Sequence, residues 1–244
     1  MKIFLDPPLP STTTFTVESE FWDYYLTTVK RLREGDSLQV AAGDVLADVE
    51  VVGTDPLRVK VKDTKPASTP NYQFHLVQAI TRKKKFEETI KRGTELGVTE
   101  FTPVISEHTV REPNNPEKQL RRWKKISMDS ARITGRDWMP TINMIQPFTE
   151  LELPASSSVF FGDPEGESVN DAFASGEQSA VILVGPEGGF TQSERETLRT
   201  ESAQPISLGN VNYRSETASM IFSVLWLNGA AEVPDPVENP AQNP

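Results

Sequence analysis

Hydrophobic positions along this chain follow two different rhythms, and the change falls near residue 70. Before it, apolar residues alternate with polar ones over Ser37–Ala41, Val45–Val52 and Leu57–Val61. A period of two predicts strands with one buried face. Gly43-Asp44 and Thr54-Asp55-Pro56 supply turn chemistry between them. Ile3-Phe4-Leu5 reads as a further short strand, and Phe21, Tyr25, Thr28, Val29 and Leu32 predict a helix over 21–33. Short strands at this spacing suggest a small barrel.

Lys65-Pro-Ala-Ser-Thr-Pro-Asn71 has the composition of a linker. Beyond it, strands predicted at Phe74–Ile80, Phe101–Ile105, Ile142–Ile145, Val159–Phe161 and Val181–Val184 alternate with helices. The first helix, Lys83–Leu96, turns Phe86 and Ile90 inward and stops at Gly97. The second, Pro116–Ile133, has Asn115 as its cap, Pro116 at its first position and Leu120, Trp123, Ser127 and Ala131 along one face, and it ends at Gly135. Asn170–Ala174 forms part of another. Alternating strands and helices imply an α/β fold on a parallel sheet. The segment 232–244, with four prolines and no apolar period, is expected to be disordered.

Composition removes several classes of chemistry. The chain has 244 residues, enough for two domains, and no cysteine. Disulfides, thiolate nucleophiles and cysteine-built metal sites are therefore excluded. Two histidines, His75 and His108, are too few for a histidine-built metal centre, so no metal is expected. No apolar run reaches membrane-spanning length, and the N-terminus is too short in apolar residues for a signal peptide, so the expected location is cytoplasmic.

Net charge is −10, but its distribution is uneven. Residues 73–140 carry 14 basic and 9 acidic groups, whereas residues 141–244 carry 3 and 15. A basic stripe on an acidic body is compatible with RNA, because phosphate is neutralised locally. Arg82, Lys83, Lys84 and Lys85 open a helix, where cations oppose the macrodipole. That arrangement favours an RNA-backbone role over a solvated face. Lys30, Arg31 and Arg33 form a second basic cluster; Arg121, Arg122, Lys124 and Lys125 fit either reading.

The candidate chemistry centres on Val181-Ile-Leu-Val-Gly-Pro-Glu-Gly-Gly-Phe190. A buried strand runs into a turn rich in glycine, and Thr191 with Glu194 forms a capping box that starts the next helix. In an open α/β sheet such a turn lies at the carboxyl ends of the strands, where ligands bind. Neither a P-loop nor a G-x-G-x-x-G dinucleotide fingerprint is present. A second strand–glycine–helix junction follows in Ile206-Ser-Leu-Gly209-Asn-Val-Asn-Tyr-Arg214-Ser-Glu216-Thr217-Ala218, with a helix beginning near Ser215. Two such junctions suggest one composite pocket.

These motifs, together with Phe86–Val98, Thr102-Pro103, Ser106-Glu107, Trp123–Ile126 and Gly135-Arg136, resemble the ribosomal RNA small subunit methyltransferase E family of the SPOUT superfamily. The resemblance covers nearly all of the chain to about Ala231. It implies an α/β SPOUT-type parallel sheet with a C-terminal trefoil knot (71–231) and a small N-terminal PUA/OB-like β-barrel domain (1–70) that helps hold RNA. The implied activity is methylation of uridine N3 in small-subunit (16S) rRNA, using S-adenosylmethionine. A non-catalytic RNA-binding SPOUT protein, or methylation of another RNA position, is the alternative. The implied partners are small-subunit rRNA or the assembled small subunit, and a second copy in a homodimer.

The resemblance also carries site residues. Three loops supply the cofactor pocket: Phe161-Gly162-Asp163, Val184–Gly189 with Gly185, Glu187 and Gly188, and Leu208–Tyr213 with Gly209. Arg214 is the candidate for stabilising negative charge or gripping phosphate. Glu216 either accepts a proton, orients Arg214, or complements a helix N-terminus. Arg136 joins Lys30, Arg31, Arg33, Arg82, Lys83 and Lys84 as candidate RNA contacts. Three departures stand out: Val211 where members commonly carry arginine, Arg132-Ile133 where they carry an acidic residue and glutamine, and Tyr25 in place of a histidine.

Overall fold

The computed structural model describes residues 1–5, 8–19, 22, 25–110, 112–154, 157–173 and 177–230. Phe21, Ala174 and the segment 232–244 lie outside the described residues. The chain divides into two compact units, residues 1–69 with 128–139, and 70–127 with the chain from 140 onward.

The first unit carries β1 (Lys2–Phe4), β2 (Thr14–Thr16), β3 (Ser37–Ala42), β4 (Val45–Thr54) and β5 (Leu57–Pro66). They form one sheet in the order β1-β3-β4-β5-β2. Only β1–β3 is parallel. The alternation in β4 turns Leu46, Val49 and Val51 into a core shared with Ile3, Leu26, Val40 and Val59. Trp22 is buried there and its indole N–H donates to Phe4 O at 2.7 Å.

Of the helix expected over 21–33, the described residues show Trp22 helical and Tyr25–Val29 as a five-residue π-helix, closed by Lys30 N donating to Tyr25 O, with no helix from Lys30 onward. Thr27, Thr28 and Val29 are consecutive β-branched residues, which resist continued helix. Arg31 then takes φ +55° and turns the chain away. Val29, placed on the inner face by periodicity, is 53% exposed.

The second unit carries β6 (Gln73–Ala79), α1 (Lys83–Leu96), β7 (Glu100–Ile105), β8 (Thr141–Ile142), β9 (Gln146–Pro147), β10 (Ser158–Ser168), α3 (Val169–Ala172), β11 (Ser179–Val184), α4 (Gln192–Thr200), β12 (Gln204–Ser207) and α5 (Ser215–Ala230). Helix α2 (Pro116–Ile133) gives its residues to 127 to this unit and the remainder to the first. The sheet order is β12-β10-β11-β6-β7-β8, with β9 also on β7, and every pairing is parallel.

The sheet has a core on each face. Phe74, Leu76 and Ile182 meet Phe86, Trp123 and Trp226 on one side, and Val77, Val181 and Leu183 meet Phe190 and Leu198 on the other. Phe74 stacks on Trp226 at 4.9 Å, and Phe86 lies 4.4 Å from Trp123. Such rings contribute beyond their buried area. The strand expected at Ile142–Ile145 is instead two short pairings to β7, at 141–142 and 146–147. Between them Asn143 binds Glu100 Oε1 and Thr102 Oγ1 through its side chain, at 2.7 and 2.8 Å. Gly97 ends α1 with φ +118°, and Asn115 Oδ1 caps α2 through Lys118 N at 2.8 Å.

Candidate functional site

Strands β12, β10 and β11 are neighbours and parallel, so the loops leaving their carboxyl ends share one edge of the sheet. These are the three loops singled out in the sequence. Phe161 is fully buried in β10 and Val184 ends β11. Strand β10 does not stop at Phe161; its register with β12 shifts between Gly162 and Glu167. The chain therefore bulges outward over 163–166 and returns. Gly166 permits this, because a Cβ there would stand 2.5 Å from Ile206 N and Pro205 C. Asp163, buried in the bulge, accepts Glu165 N at 3.0 Å and faces Arg199 at 3.3 Å and Arg195 at 3.6 Å.

The second loop is held from several sides. Gly189 takes φ +71° and its amide donates to Pro186 O at 2.9 Å, closing the turn. Thr191 and Glu194 make the expected capping box. Glu194 is shared: Oε2 accepts Thr191 N at 2.8 Å, and Oε1 accepts Glu107 N at 2.9 Å. His108 then points Nδ1 at Gly188 O and Gly189 O, 3.2 and 3.1 Å away, so that nitrogen carries the proton. The third loop places Gly209 at φ +87°, with its amide on Ser207 Oγ at 3.2 Å. Leu208 is half-buried, and Val211 and Tyr213 are exposed.

A buried polar chain joins the loops. Gln78 Nε2, in β6, donates to Ser215 Oγ at 2.9 Å and Val184 O at 3.3 Å. Ser215 Oγ donates to Gly185 O at 2.5 Å, and Ser219 Oγ donates to Gln78 Oε1. The end of β11 and the start of α5 are thus tied through one glutamine side chain. Burying so many polar groups is tolerable because each finds a partner. Gln78 is absent from the sequence motifs above, although a lone amide in Phe74-His-Leu-Val-Gln-Ala79 is its signal. His108 and Gly166 were also missed, and neither has a comparable local signal.

Lys85, grouped by sequence with its basic neighbours as an RNA-backbone contact, takes a different place. From the first turn of α1 its Nζ reaches Glu216 Oε1 at 3.0 Å and Glu187 Oε1 at 4.0 Å. A cation unfavourable for α1 is placed where two carboxylates from the second and third loops meet. Burial pulls the Glu216 carboxyl upward, but the Lys85 hydrogen bond and the Lys85 and Arg214 charges hold it below the ordinary glutamate value. Glu216 Oε2 is buried without a hydrogen-bond partner, leaving one acceptor open. Arg214 is exposed, and its carbonyl accepts Thr217 N and Ala218 N at 2.9 Å each, so it caps α5 from the outside.

The glycines fit a ligand at this edge. A Cβ on Gly189 or Gly209 would meet nothing within 4 Å, so these backbones face open space. Arg82, Lys83 and Lys84 are exposed at the start of α1. Lys30, Arg31, Arg33 and Arg136 belong to the first unit, where Lys30 lies 5.7 Å over the Tyr25 ring and Arg136 4.9 Å over Trp138. No group of three or more metal-ligating side chains occurs among the described residues. No helix among them is long and apolar enough to cross a membrane.

The model of the RNA methyltransferase domain family matches residues 68–226 of this chain. Ribosomal RNA small subunit methyltransferase E of Mesomycoplasma hyopneumoniae is 31% identical over 164 residues, covering 66% of this chain and 72% of that one. The chain belongs to the ribosomal RNA small subunit methyltransferase E family. Its Rickettsia conorii member is 25% identical over 227 residues, covering 90% of this chain and 91% of the relative. The crystal structure of the Neisseria gonorrhoeae member, bound to S-adenosyl methionine, superposes with a TM-score of 0.81 at 21% identity, covering 93% of this chain and 96% of that one. Within this family the chain's Val211 is 58% exposed and Ile133 69% exposed, so neither departure is a core substitution.

Proposed function

We propose that this protein methylates uridine N3 in small-subunit rRNA, with S-adenosylmethionine as donor. The observation that carries the proposal is the pairing of an open acceptor, Glu216 Oε2, with two cations, Lys85 and Arg214, beside three glycine-bearing loops. Phe161, Gly162, Val184, Gly185, Glu187, Gly188, Gly189, Leu208, Gly209 and Tyr213 are the residues assigned to hold the cofactor. Backbone groups of these loops suit an adenine edge, and half-buried Leu208 suits its face.

When bound, the cofactor supplies an electrophilic methyl group. The protein must then present N3 and deal with its proton. Neutral uracil carries a proton on N3, which has to be taken up for N3 to accept a methyl group. The Glu216 carboxylate, held by Lys85 Nζ at 3.0 Å, is the group assigned to take up that proton. Because its carboxyl is held low, Glu216 is ionised before substrate arrives, and it orients N3–H more than it pulls on it. Arg214 offsets negative charge growing on the uracil. Lys85 fixes Glu216, so alignment contributes a large part of the rate.

The finer architectural reading is part of the same proposal. The strand order β12-β10-β11-β6 and the tying of α5 to β6 and β11 support a knotted C-terminal region. The mixed five-stranded sheet of the first unit supports a PUA/OB-like RNA-holding domain, with Lys30, Arg31, Arg33 and Arg136 on the RNA. A second copy completes the site as a homodimer. The protein works in the cytoplasm.

The test is to incubate purified protein and labelled S-adenosylmethionine with small subunits from cells lacking the gene, then map the methyl. N3-methyluridine in the rRNA is expected. Cofactor binding with no transfer to subunits or naked rRNA would overturn the proposal in favour of a binding protein.

A further inference from the structure

A cavity of about 1220 Å³ opens between the start of α1 and the first half of α2, wholly within the second unit. It is separate from the three loops. Six cationic side chains line it against one acid, Glu112. Three of the six are already engaged: Arg122 grips Glu87 at 2.5 and 2.9 Å, Arg121 lies 3.8 Å from Glu117, and Lys125 has a partner of its own. Arg82, Lys83 and Lys118 form no ion pair among the described residues. They stand around the beginnings of two helices, and the first turn of α1 has no acid and no side-chain cap. Like charge concentrated at a helix N-terminus is unfavourable unless an anion joins it.

The floor adds an independent sign of a ligand. Phe86 and Trp123, each 1% exposed, form its apolar base. Two polar atoms of the lining are buried without a partner, Trp123 Nε1 and Thr81 Oγ1. An indole N–H can only donate, and leaving it unmade is costly. A ligand with an acceptor on a flat, mostly apolar body would satisfy it.

We propose that this cavity binds one unstacked nucleotide of single-stranded RNA, with its phosphate on Arg82, Lys83 and Lys118 and the polar edge of its base towards Thr81 Oγ1 and Trp123 Nε1. The inference rests on the RNA reading above and assigns it a second contact point. Bases laid on aromatic floors and phosphates on lysines are the usual means of gripping single strands.

The test uses the full chain and a short fluorescent oligouridine, with anisotropy measured over a range of salt. The triple variant Arg82→Ala/Lys83→Ala/Lys118→Ala is expected to bind roughly ten- to a hundredfold more weakly. Its log–log salt slope should fall by about 0.7, the value for one lost phosphate contact on a single strand. Lys118→Glu, a change at an exposed position, gives a second reading free of folding effects. Calorimetric binding of S-adenosylmethionine should be unchanged in the triple variant. Wild-type affinity and slope in that variant would overturn the inference, as would equal competition by an acidic peptide of matched charge. If subunits are methylated while the variant binds normally, this inference fails and the proposed activity stands. If binding depends on these residues but no methyl is transferred, the reverse holds.

Discussion

Lys85 Nζ lies 3.0 Å from Glu216 Oε1, joining the first turn of one helix to the first turn of another 131 positions along the chain. The carboxylate suits its helix start and the lysine does not suit its own. The pair resolves that conflict: the misfit cation of α1 becomes the partner that keeps Glu216 ionised and aimed. Replacing Lys85 with methionine removes the hydrogen bond and the charge together. Methyl transfer should fall by about tenfold to a hundredfold in kcat, on the scale of a misplaced positioning group. Cofactor affinity should change little. Steady-state kinetics with calorimetry checks this, and a loss confined to cofactor affinity would refute the positioning role.

Gln78 is the one side chain that bonds β11's end, Ser215 and Ser219 together. Gln78→Leu keeps the volume but strands buried partners, at a cost of about 1–3 kcal/mol. Both loops lose their common anchor, so S-adenosylmethionine affinity should fall along with melting temperature. Stable protein with unaltered affinity would show that the chain is only structural.

Two glycines predict different damage. Gly166→Ala puts a methyl 2.5 Å from backbone atoms of Pro205 and Ile206, which cannot swing aside. Gly209→Ala meets open space and pays only for φ +87°, about 1–2 kcal/mol. Chemical denaturation should therefore rank Gly166→Ala as clearly the more destabilising.

Glu194 serves both its own helix and the Glu107 loop. Glu194→Ala should cost about 1–2 kcal/mol, more than the loss of a cap bond alone, since the Glu107 amide of a second segment also loses its acceptor. Thr191→Ala removes only the cap side and should cost about 1 kcal/mol.

His75 supplies a pH dependence. Burial holds its imidazole below the ordinary value, partly offset by Glu100 at 3.9 Å, and its Nε2 lies 2.7 Å from Thr102 Oγ1. Unfolded chains therefore take up the proton first as pH falls. The stability this group contributes is complete above about pH 6.5 and is lost progressively as pH drops towards the lower folded value. Denaturant titrations at a series of pH values should show that decline in the wild type and a flatter profile in His75→Gln.

Local pattern determined much of this protein. Helices over Lys83–Leu96 and Pro116–Ile133 begin and end where caps, proline and glycine place them, because those signals act within one turn. The capping box at Thr191–Glu194, the buried strand before it and the parallel sheet were legible for the same reason. Periodicity at 21–33 gave helical structure but neither its kind nor its end, since Tyr25–Val29 is a π-helix and the chain leaves it at Lys30 after a run of β-branched residues. What only the tertiary structure decided is who meets whom across the sheet. Gln78 and Ser215 are 137 residues apart, and Lys85 finds Glu216 only because α1 and α5 lie on the same face as β6 and β11. Hydrogen bonds and ion pairs act over a few ångströms, so such partners are set by strand order, which no local signal in the sequence records.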